Sequence, residues 1–163
     1  MARKSVQNLS RGTSSMLIQL FKSIYTLVVS FWFGGMALFT FIITPIFFKV
    51  FDRDMAGAIV GSVFPAYFKV GLCCGVVSLI CMLIMRHRHW VAASTIIVLM
   101  LIITSYQAFV LEPKAVQIKK DIPSFVSTPA TNPARIKFRE IHKQSAIGNV
   151  SVIGGGALLL LLL

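Results

Sequence analysis

Residues 23–48, SIYTLVVSFWFGGMALFTFIITPIFF, form an uncharged stretch that decides the fold class of this chain. A helix rises about 1.5 Å per residue, so this stretch would be roughly 39 Å long as a helix. The hydrocarbon core of a bilayer is crossed by about 20 apolar residues of helix. We therefore predict a membrane-spanning helix over about residues 16–48.

The whole chain has the composition of a membrane protein. Hydrophobic residues make up 56% of its 163 residues and charged residues only 13%, whereas soluble domains have about 45–50% and about 25%. Further apolar runs predict spans over about residues 55–85, 91–111 and 144–163. The sequence thus predicts an all-α, polytopic membrane protein: a single four-helix transmembrane domain, residues 16–163, after a basic flexible tail, residues 1–15.

The second apolar run is too long for one straight crossing, at roughly 46 Å, and it contains Pro65. We predict that this helix is kinked or extended at Pro65, with an interfacial first part and a crossing near residues 70–85. Lys69 would then lie at the membrane boundary and extend its amine toward the headgroups. Asp52 or Asp54 is expected to cap the helix.

The formal net charge of +11 comes from lysines and arginines in the tail and in the loops beside the apolar runs. Anionic headgroups attract such residues, so membrane lipids are the expected partners. Nucleic acid is not, because the residues outside the membrane offer no recognition fold. Four crossings put both termini on one side. We predict that this side is cytoplasmic from the basic flanks of the first helix, although the opposite side carries more Lys and Arg.

Polar side chains enter the fourth span in FREIHKQSAIGN, residues 138–149. His142, Ser145 and Asn149 stand at i, i+3 and i+7, which places them on one helix face. Such a stripe is costly against lipid, so it should face the bundle interior or a wet cavity, where polar groups are functional candidates. The alternative is that Ser145 and Asn149 only bond neighbouring helices, at about 0.6 kcal/mol each.

Glu112 is the second candidate, because it ends the third span on the same side as His142. A carboxylate near the interface is often only a solvated or ion-paired structural group. Its placement opposite a titratable imidazole also suits a cation or proton site. We predict a ligand site that combines Glu112, His142, Ser145 and Asn149, with Lys69 at its rim.

Metal and catalytic signals are weak. The three cysteines lie inside one apolar run, which disfavours a disulfide framework. Cys74, Cys81 and Met85 form one helical stripe that would suit Cu(I), or that simply packs. His87 and His89 in RHRHW form either a small chelating pair or a solvated basic turn. No nucleophile and base arrangement, phosphate loop or zinc spacing occurs, so we expect neither an enzyme nor a bound cofactor.

Two further patterns concern helix packing. The exits of spans 1 and 3, IITP and VLEP, are alike and suggest a two-plus-two repeat, as in many transporters. Gly57 with Gly61, and Gly71 with Gly75, form GxxxG pairs, which indicate close approach between helices.

Four motifs in order resemble the transmembrane protein 205-like family, which consists of small four-helix membrane proteins also described as a domain of unknown function. They are FWFGGMALF, VFPAYFKVG, VLEPKAV and FREIHKQSAIGN, and the likeness covers about residues 22–160. The resemblance implies a polytopic membrane protein, with a eukaryotic relative associated with resistance to a platinum drug and no settled mechanism. The signature positions implied here are Phe64, Pro65, Tyr67, Phe68, Glu112, Pro113, His142 and Asn149.

This chain departs from the family pattern in its short linker before span 4 and in Lys69, which follows the aromatic pair. More distantly, its layout is similar to copper-resistance and haem-binding four-helix membrane proteins. No span carries a histidine pair suited to haem.

Three functions are consistent with these observations. The first is transport-type handling of a cation, metal or cationic amphipathic compound, with Tyr67 added to the site by the family resemblance. The second is a structural or accessory subunit, either a homo-oligomer or part of a larger membrane complex, supported by the glycine faces. The third is a haem- or copper-binding membrane protein.

Overall fold

Four long helical rods make up the protein. The computed structural model describes the backbone of residues 2–86 and 88–162, with side chains from residue 15 onward. Within these ranges the regular elements are all helical, and four rods are long and apolar enough to cross a membrane. They are span 1, Ser15–Val50; span 2, Arg53–Met85; span 3, Trp90–Lys120; and span 4, Pro133–Leu161. The predicted all-α, four-helix fold is confirmed.

Spans 1 and 3 each contain a π-helical turn between two α-helices, while spans 2 and 4 are single α-helices. The elements are α1, Ala2–Leu38; a π-turn, Phe39–Ile43; α2, Thr44–Val50; α3, Arg53–Met85; α4, Trp90–Tyr106; a second π-turn, Gln107–Leu111; α5, Glu112–Lys120; and α6, Pro133–Leu161. Because α1 begins at Ala2, the backbone of the predicted tail continues the helix, and the flexibility of that tail stays a prediction.

Span 2 is one uninterrupted helix that includes Pro65. Of the two predicted forms, kinked or extended, the extended one therefore describes its secondary structure. Asp52 is its N-cap, since its Oδ1 accepts hydrogen bonds from the backbone N–H groups of Asp54 and Met55, both at 2.9 Å. The helix ends at Met85, and its C-cap residue, Arg86, has φ 43° in the left-handed region.

Spans 3 and 4 extend past the apolar runs that predicted them. Span 3 continues to Lys120, where Lys119 and Lys120 complement the negative end of the helix dipole. Span 4 begins at Pro133, and the Asn132 side chain caps it by accepting from the N–H of Ala134 at 2.9 Å. The charged segments at the end of span 3 and the start of span 4 therefore belong to helices and not to loops.

Gly71 and Gly75 of span 2 form a notch that receives Trp32 of span 1. Trp32 is 3% exposed, and its Nε1 lies 3.0 Å from the position that a Cβ on Gly71 would occupy. Its Cη2 lies 2.9 Å from the corresponding position on Gly75. The indole fits because neither residue has a side chain, which confirms close packing at this GxxxG pair.

Spans 1 and 3 share one pattern of buried residues. Tyr25, Val29, Trp32, Met36 and Phe39 are buried in span 1, and Ala93, Ile97, Met100, Thr104 and Gln107 are buried in span 3. Each residue of the second set follows its counterpart by the same interval, and so does the proline after each π-turn. This agreement supports the predicted two-plus-two repeat.

We predict that Gly75→Ala destabilises the protein by about 1–3 kcal/mol, the usual cost of overpacking. The added methyl would lie 2.9 Å from both Leu101 Cγ and Trp32 Cη2. Gly154→Ala is the matched control, because nothing lies within 4 Å of its Cβ position, and it should be neutral or slightly stabilising. Thermal unfolding in detergent measures both, and equal midpoints would contradict the notch.

Candidate functional site

A cavity of about 240 Å³ lies at one end of the bundle. Spans 2, 3 and 4 surround it, with contributions from the end of span 1 and from the loop between spans 3 and 4. We call it the interface cavity, and its lining residues are Phe48, Arg53, Gly57, Val60, Gly61, Phe64, Phe68, Leu111, Glu112, Ala115, Val116, Lys119, Phe125, Arg135, Phe138, Ile141, His142 and Ser145.

The charged groups of the interface cavity lie at two levels. Arg53, Lys119 and Arg135 stand in the terminal turns of their helices and form a cationic mouth. Glu112 and His142 each lie seven residues further along the same helices as Lys119 and Arg135, about 10 Å deeper. The lining therefore has three permanent cations against one carboxylate, and the remaining wall is largely aromatic and aliphatic.

Lys119 reaches the mouth by passing over the GxxxG pair of Gly57 and Gly61. Its Nζ lies 3.9 Å from the Cβ position of Gly57 and 4.0 Å from that of Gly61. These glycines thus make room for a lysine side chain from span 3, while at Gly71 and Gly75 the same spacing receives an indole.

The loop between spans 3 and 4 is fastened over the mouth by hydrogen bonds. Asp54 accepts from the Ser124 hydroxyl at 2.6 Å and from the N–H of Phe125. The Arg135 guanidinium donates to the Thr128 carbonyl oxygen and lies 5.7 Å from the centroid of the Phe125 ring. Phe125 is thereby held as one wall of the interface cavity.

The structure brings three of the predicted site residues into the interface cavity, namely Glu112, His142 and Ser145. His142 is exposed, and its ring stacks on Phe138 with centroids 6.3 Å apart and planes inclined by 6°. It therefore faces the cavity along an aromatic wall.

Asn149 is buried deeper in the bundle, where it binds a residue that the sequence analysis missed. Gln107 Nε2 donates to Asn149 Oδ1 at 2.9 Å, to the Ser145 carbonyl at 2.8 Å and to the Ser145 hydroxyl at 3.3 Å. Gly148 allows this approach, since a Cβ there would lie 2.9 Å from Gln107 Cδ. The available signal was a single amide within the otherwise apolar run of span 3.

Tyr67 and Lys69 lie outside the interface cavity. Tyr67 packs in an aromatic cluster, with ring centroids 5.0 Å from Phe39, 6.0 Å from Phe64 and 5.3 Å from Phe68. Lys69 is exposed on the outer surface of span 2. Together with Asn149, these two are the predicted rim and site residues that do not line the interface cavity.

The sulfur-containing residues of the predicted stripe on span 2 pack in or against the hydrophobic core. Cys81 is 2% exposed within the hydrophobic core, and Cys74 and Met85 pack against that core. Among residues whose side chains the structure describes, no three His, Cys, Asp or Glu groups cluster to hold a metal ion. His87, half of the suggested chelating pair, lies outside the described residues.

Four membrane-length helices, with a cavity at one end of the bundle, define a polytopic helical membrane protein. The chain belongs to the family of the domain of unknown function DUF4149, whose model matches residues 27–124. It is also 44% identical over 45 residues to an uncharacterized protein of Aquifex aeolicus (strain VF5), covering 28% of this chain and 34% of that relative. No solved structure matches the chain.

The hydrogen bonds of Gln107 predict energetic coupling between spans 3 and 4. Asn149→Leu should cost about 0.6–2 kcal/mol, because a buried amide loses its partner. Gln107→Met should cost a similar amount, and the double variant should cost less than the sum of the two. Unfolding in detergent gives these values, with Thr95→Ala, whose hydroxyl bonds within its own helix, as the unaffected control. Strict additivity would show that the two amides are not coupled.

Proposed function

We propose that this integral membrane protein handles a small amphipathic compound, which it binds in the interface cavity and passes between the membrane and the aqueous side. The observation that carries the proposal is the combination, in one cavity, of an aromatic wall and a charged mouth at the helix ends. Ligand sites in proteins are typically apolar with a few placed polar groups. The proposed role is binding and transport, without a chemical reaction on the compound.

The charged residues at the mouth of the interface cavity indicate the charge of the compound that binds there. Glu112 and His142 by themselves favour a cation, a metal or a cationic amphipathic compound. The lining adds Arg53, Lys119 and Arg135 to these groups, so cations outnumber carboxylates three to one. Opposite charges attract more strongly in a partly buried site than in bulk water. The preferred compound is therefore one with an anionic head group and an apolar chain.

The size of the interface cavity also restricts the ligand. Its volume of about 240 Å³ is below the roughly 300–1,000 Å³ of drug-sized ligand pockets. A single acyl chain with a compact head group suits this volume better than a bulky ring system. The head would lie between Arg53 and Arg135, and the chain would pass toward Phe64 and Phe68.

Photo-crosslinking tests this proposal in phosphatidylcholine nanodiscs with a diazirine-bearing hexadecanoate. We expect the probe to label peptides that contain lining residues such as Phe64 or Phe138. Ala115→Trp fills the cavity and should reduce that labelling several-fold. Ala92→Trp is the control, since it adds the same side chain on the exposed surface of span 3 at its opposite end.

Competition with two compounds of equal chain length then tests the head group. Dodecanoate should reduce labelling more than dodecyltrimethylammonium does. Stronger competition by the ammonium compound would favour the cationic compound that the sequence predicts. Equal labelling of the wild type and Ala115→Trp would reject the interface cavity as the binding site.

A second candidate function, an accessory or structural subunit, is favoured by a different observation. Gly34, Gly35 and Gly154 have no atom within 4 Å of an added Cβ. Small residues on the outer surface of membrane helices are typical of faces that dock onto other helices. The partner would be a second copy or a larger membrane complex.

Gly34→Leu separates the two functions. If the chain is a subunit, extraction in mild detergent should give a species of fixed stoichiometry, measurable by mass photometry, and the variant should dissociate it. The fold should be unaffected because no atom of the same chain lies within 4 Å of the Cβ position of Gly34. A wild-type protein that migrates alone would count against the subunit role.

A haem or copper site and cytoplasmic termini are two further proposals. A haem or copper site has the core cysteines of span 2 as its remaining sulfur ligands, and an absorption spectrum with elemental analysis of the purified protein tests it. Cytoplasmic termini would place the interface cavity at the opposite membrane surface, since four spans return the chain to its starting side.

A further inference from the structure

The loop between spans 3 and 4 lies over the mouth of the interface cavity. It joins Lys120, the last residue of α5, to Pro133, the first residue of α6. Phe125 of this loop lines the cavity, and its ring packs on Phe138 with centroids 4.9 Å apart. The loop thus stands between the cavity and the water at this end of the bundle.

The middle of this loop is a turn with its own hydrogen bonds. The N–H of Thr128 donates to the Ser124 carbonyl oxygen at 3.1 Å. The N–H groups of Val126 and Ser127 donate to the Ser124 hydroxyl oxygen at 3.1 and 3.2 Å, as serine hydroxyls commonly do in turns. Because these bonds stay within the loop, the turn keeps its shape when it moves as a unit.

The two ends of the loop are fixed, whereas its middle is not packed into the bundle. At the start, Ile122 is 5% exposed and its N–H donates to the Lys119 carbonyl oxygen at 3.1 Å. At the end, Asn132 caps span 4. Between them, Val126 is 65% exposed. Residues 123–131 are therefore an exposed segment between two anchored ends.

Asp54 ties this segment to span 2, across the mouth of the cavity. Its carboxylate accepts hydrogen bonds from the Ser124 hydroxyl at 2.6 Å and from the N–H of Phe125. The bond from Arg135 to Thr128 instead links the loop to span 4, the helix that it leads into. The Asp54 bonds are thus the attachment that reaches across to a different span.

We propose that residues 123–131 form a lid on the interface cavity, which is held shut by Asp54 and opens when Ser124 and Phe125 leave its carboxylate. Opening moves the Phe125 ring out of the cavity wall and connects the cavity with water. Lids of this kind commonly control the entry and release of small molecules. The part of the lid in ligand passage rests on the proposed function, but its opening can be measured without a ligand.

The test measures how fast water-soluble reagents reach a thiol inside the cavity. Ala115→Cys places the thiol on the lining, and the protein without it gives the background rate of the native cysteines. Nanodiscs are treated with an anionic and, separately, a cationic methanethiosulfonate reagent. Asp54→Ala should speed the reaction with both reagents at least about tenfold, because hydrogen bonds to a charged group hold the lid.

Asp52→Asn is the matched control for Asp54→Ala. It removes a negative charge two residues away and keeps an N-cap residue for span 2, so the lid should stay shut. If Asp54→Ala acted through charge alone, the anionic reagent would react faster and the cationic reagent more slowly. That result, or equal rates in the two variants, would overturn the lid.

Ser124→Ala tests the other side of the attachment without changing the charge. It should speed both reactions, while Ser127→Ala should not, because among the described residues the Ser127 side chain makes no hydrogen bond. Equal rates in these two variants would also count against the lid.

The lid and the proposed ligand can fail separately. In the same nanodiscs, Asp54→Ala should speed the transfer of bound hexadecanoate probe to albumin in the water. If the probe does not label the cavity but Asp54→Ala speeds both thiol reactions, the ligand is rejected and the lid is retained. If the probe labels the cavity but the thiol rates are equal in Asp54→Ala and Asp52→Asn, the lid is rejected and the ligand is retained.

Discussion

The absence of water inside a bilayer is the constraint on which this structure depends. Every backbone N–H and C=O in the hydrocarbon region must be paired within the protein, and a helix does this without help from its neighbours. The four spans follow from that requirement. It also applies to side chains, since the buried amide of Gln107 is directed onto Ser145 and Asn149 of the next span. The Gln107 amide nitrogen is thus buried together with the acceptors that it needs.

The constraint relaxes where the helices leave the membrane, and the interface cavity lies there. Spans 1 and 3 have the same buried pattern and the same π-turn followed by proline, yet their π-turn residues differ. Phe39 packs on Phe64 and Tyr67 of the following span, whereas Gln107 hydrogen-bonds with the following span. In the first half of the repeat, the π-turn therefore packs on the next span through aromatic rings. The second half carries the polar groups and the longer loop that covers the mouth.

The features that could be predicted from sequence are those set by local chemistry. Uncharged runs of membrane length gave the spans, and Asp52 before an apolar run gave a helix cap. His142, Ser145 and Glu112 share the interface cavity because helical spacing and helix ends fix their direction and level. Gln107 could not be assigned a partner, since its direction depends on the rotation of span 3 against span 4. Arg53, Lys119 and Arg135 meet only because three separate helices end at one face.

Lys69 shows why the level of a side chain along the bundle cannot be predicted from the sequence of its own helix. Its distance from the membrane surface depends on which residues of span 1 face which residues of span 2, and that register is set by Trp32 entering the glycine notch. Seen alone, span 2 is long enough for its first part to lie outside the membrane, which would place Lys69 at the boundary. Once the notch fixes the register, the same lysine lies level with the part of span 1 between Trp32 and Phe39. The level of a side chain along the bundle is therefore a property of the packed helices together, and no single apolar run determines it.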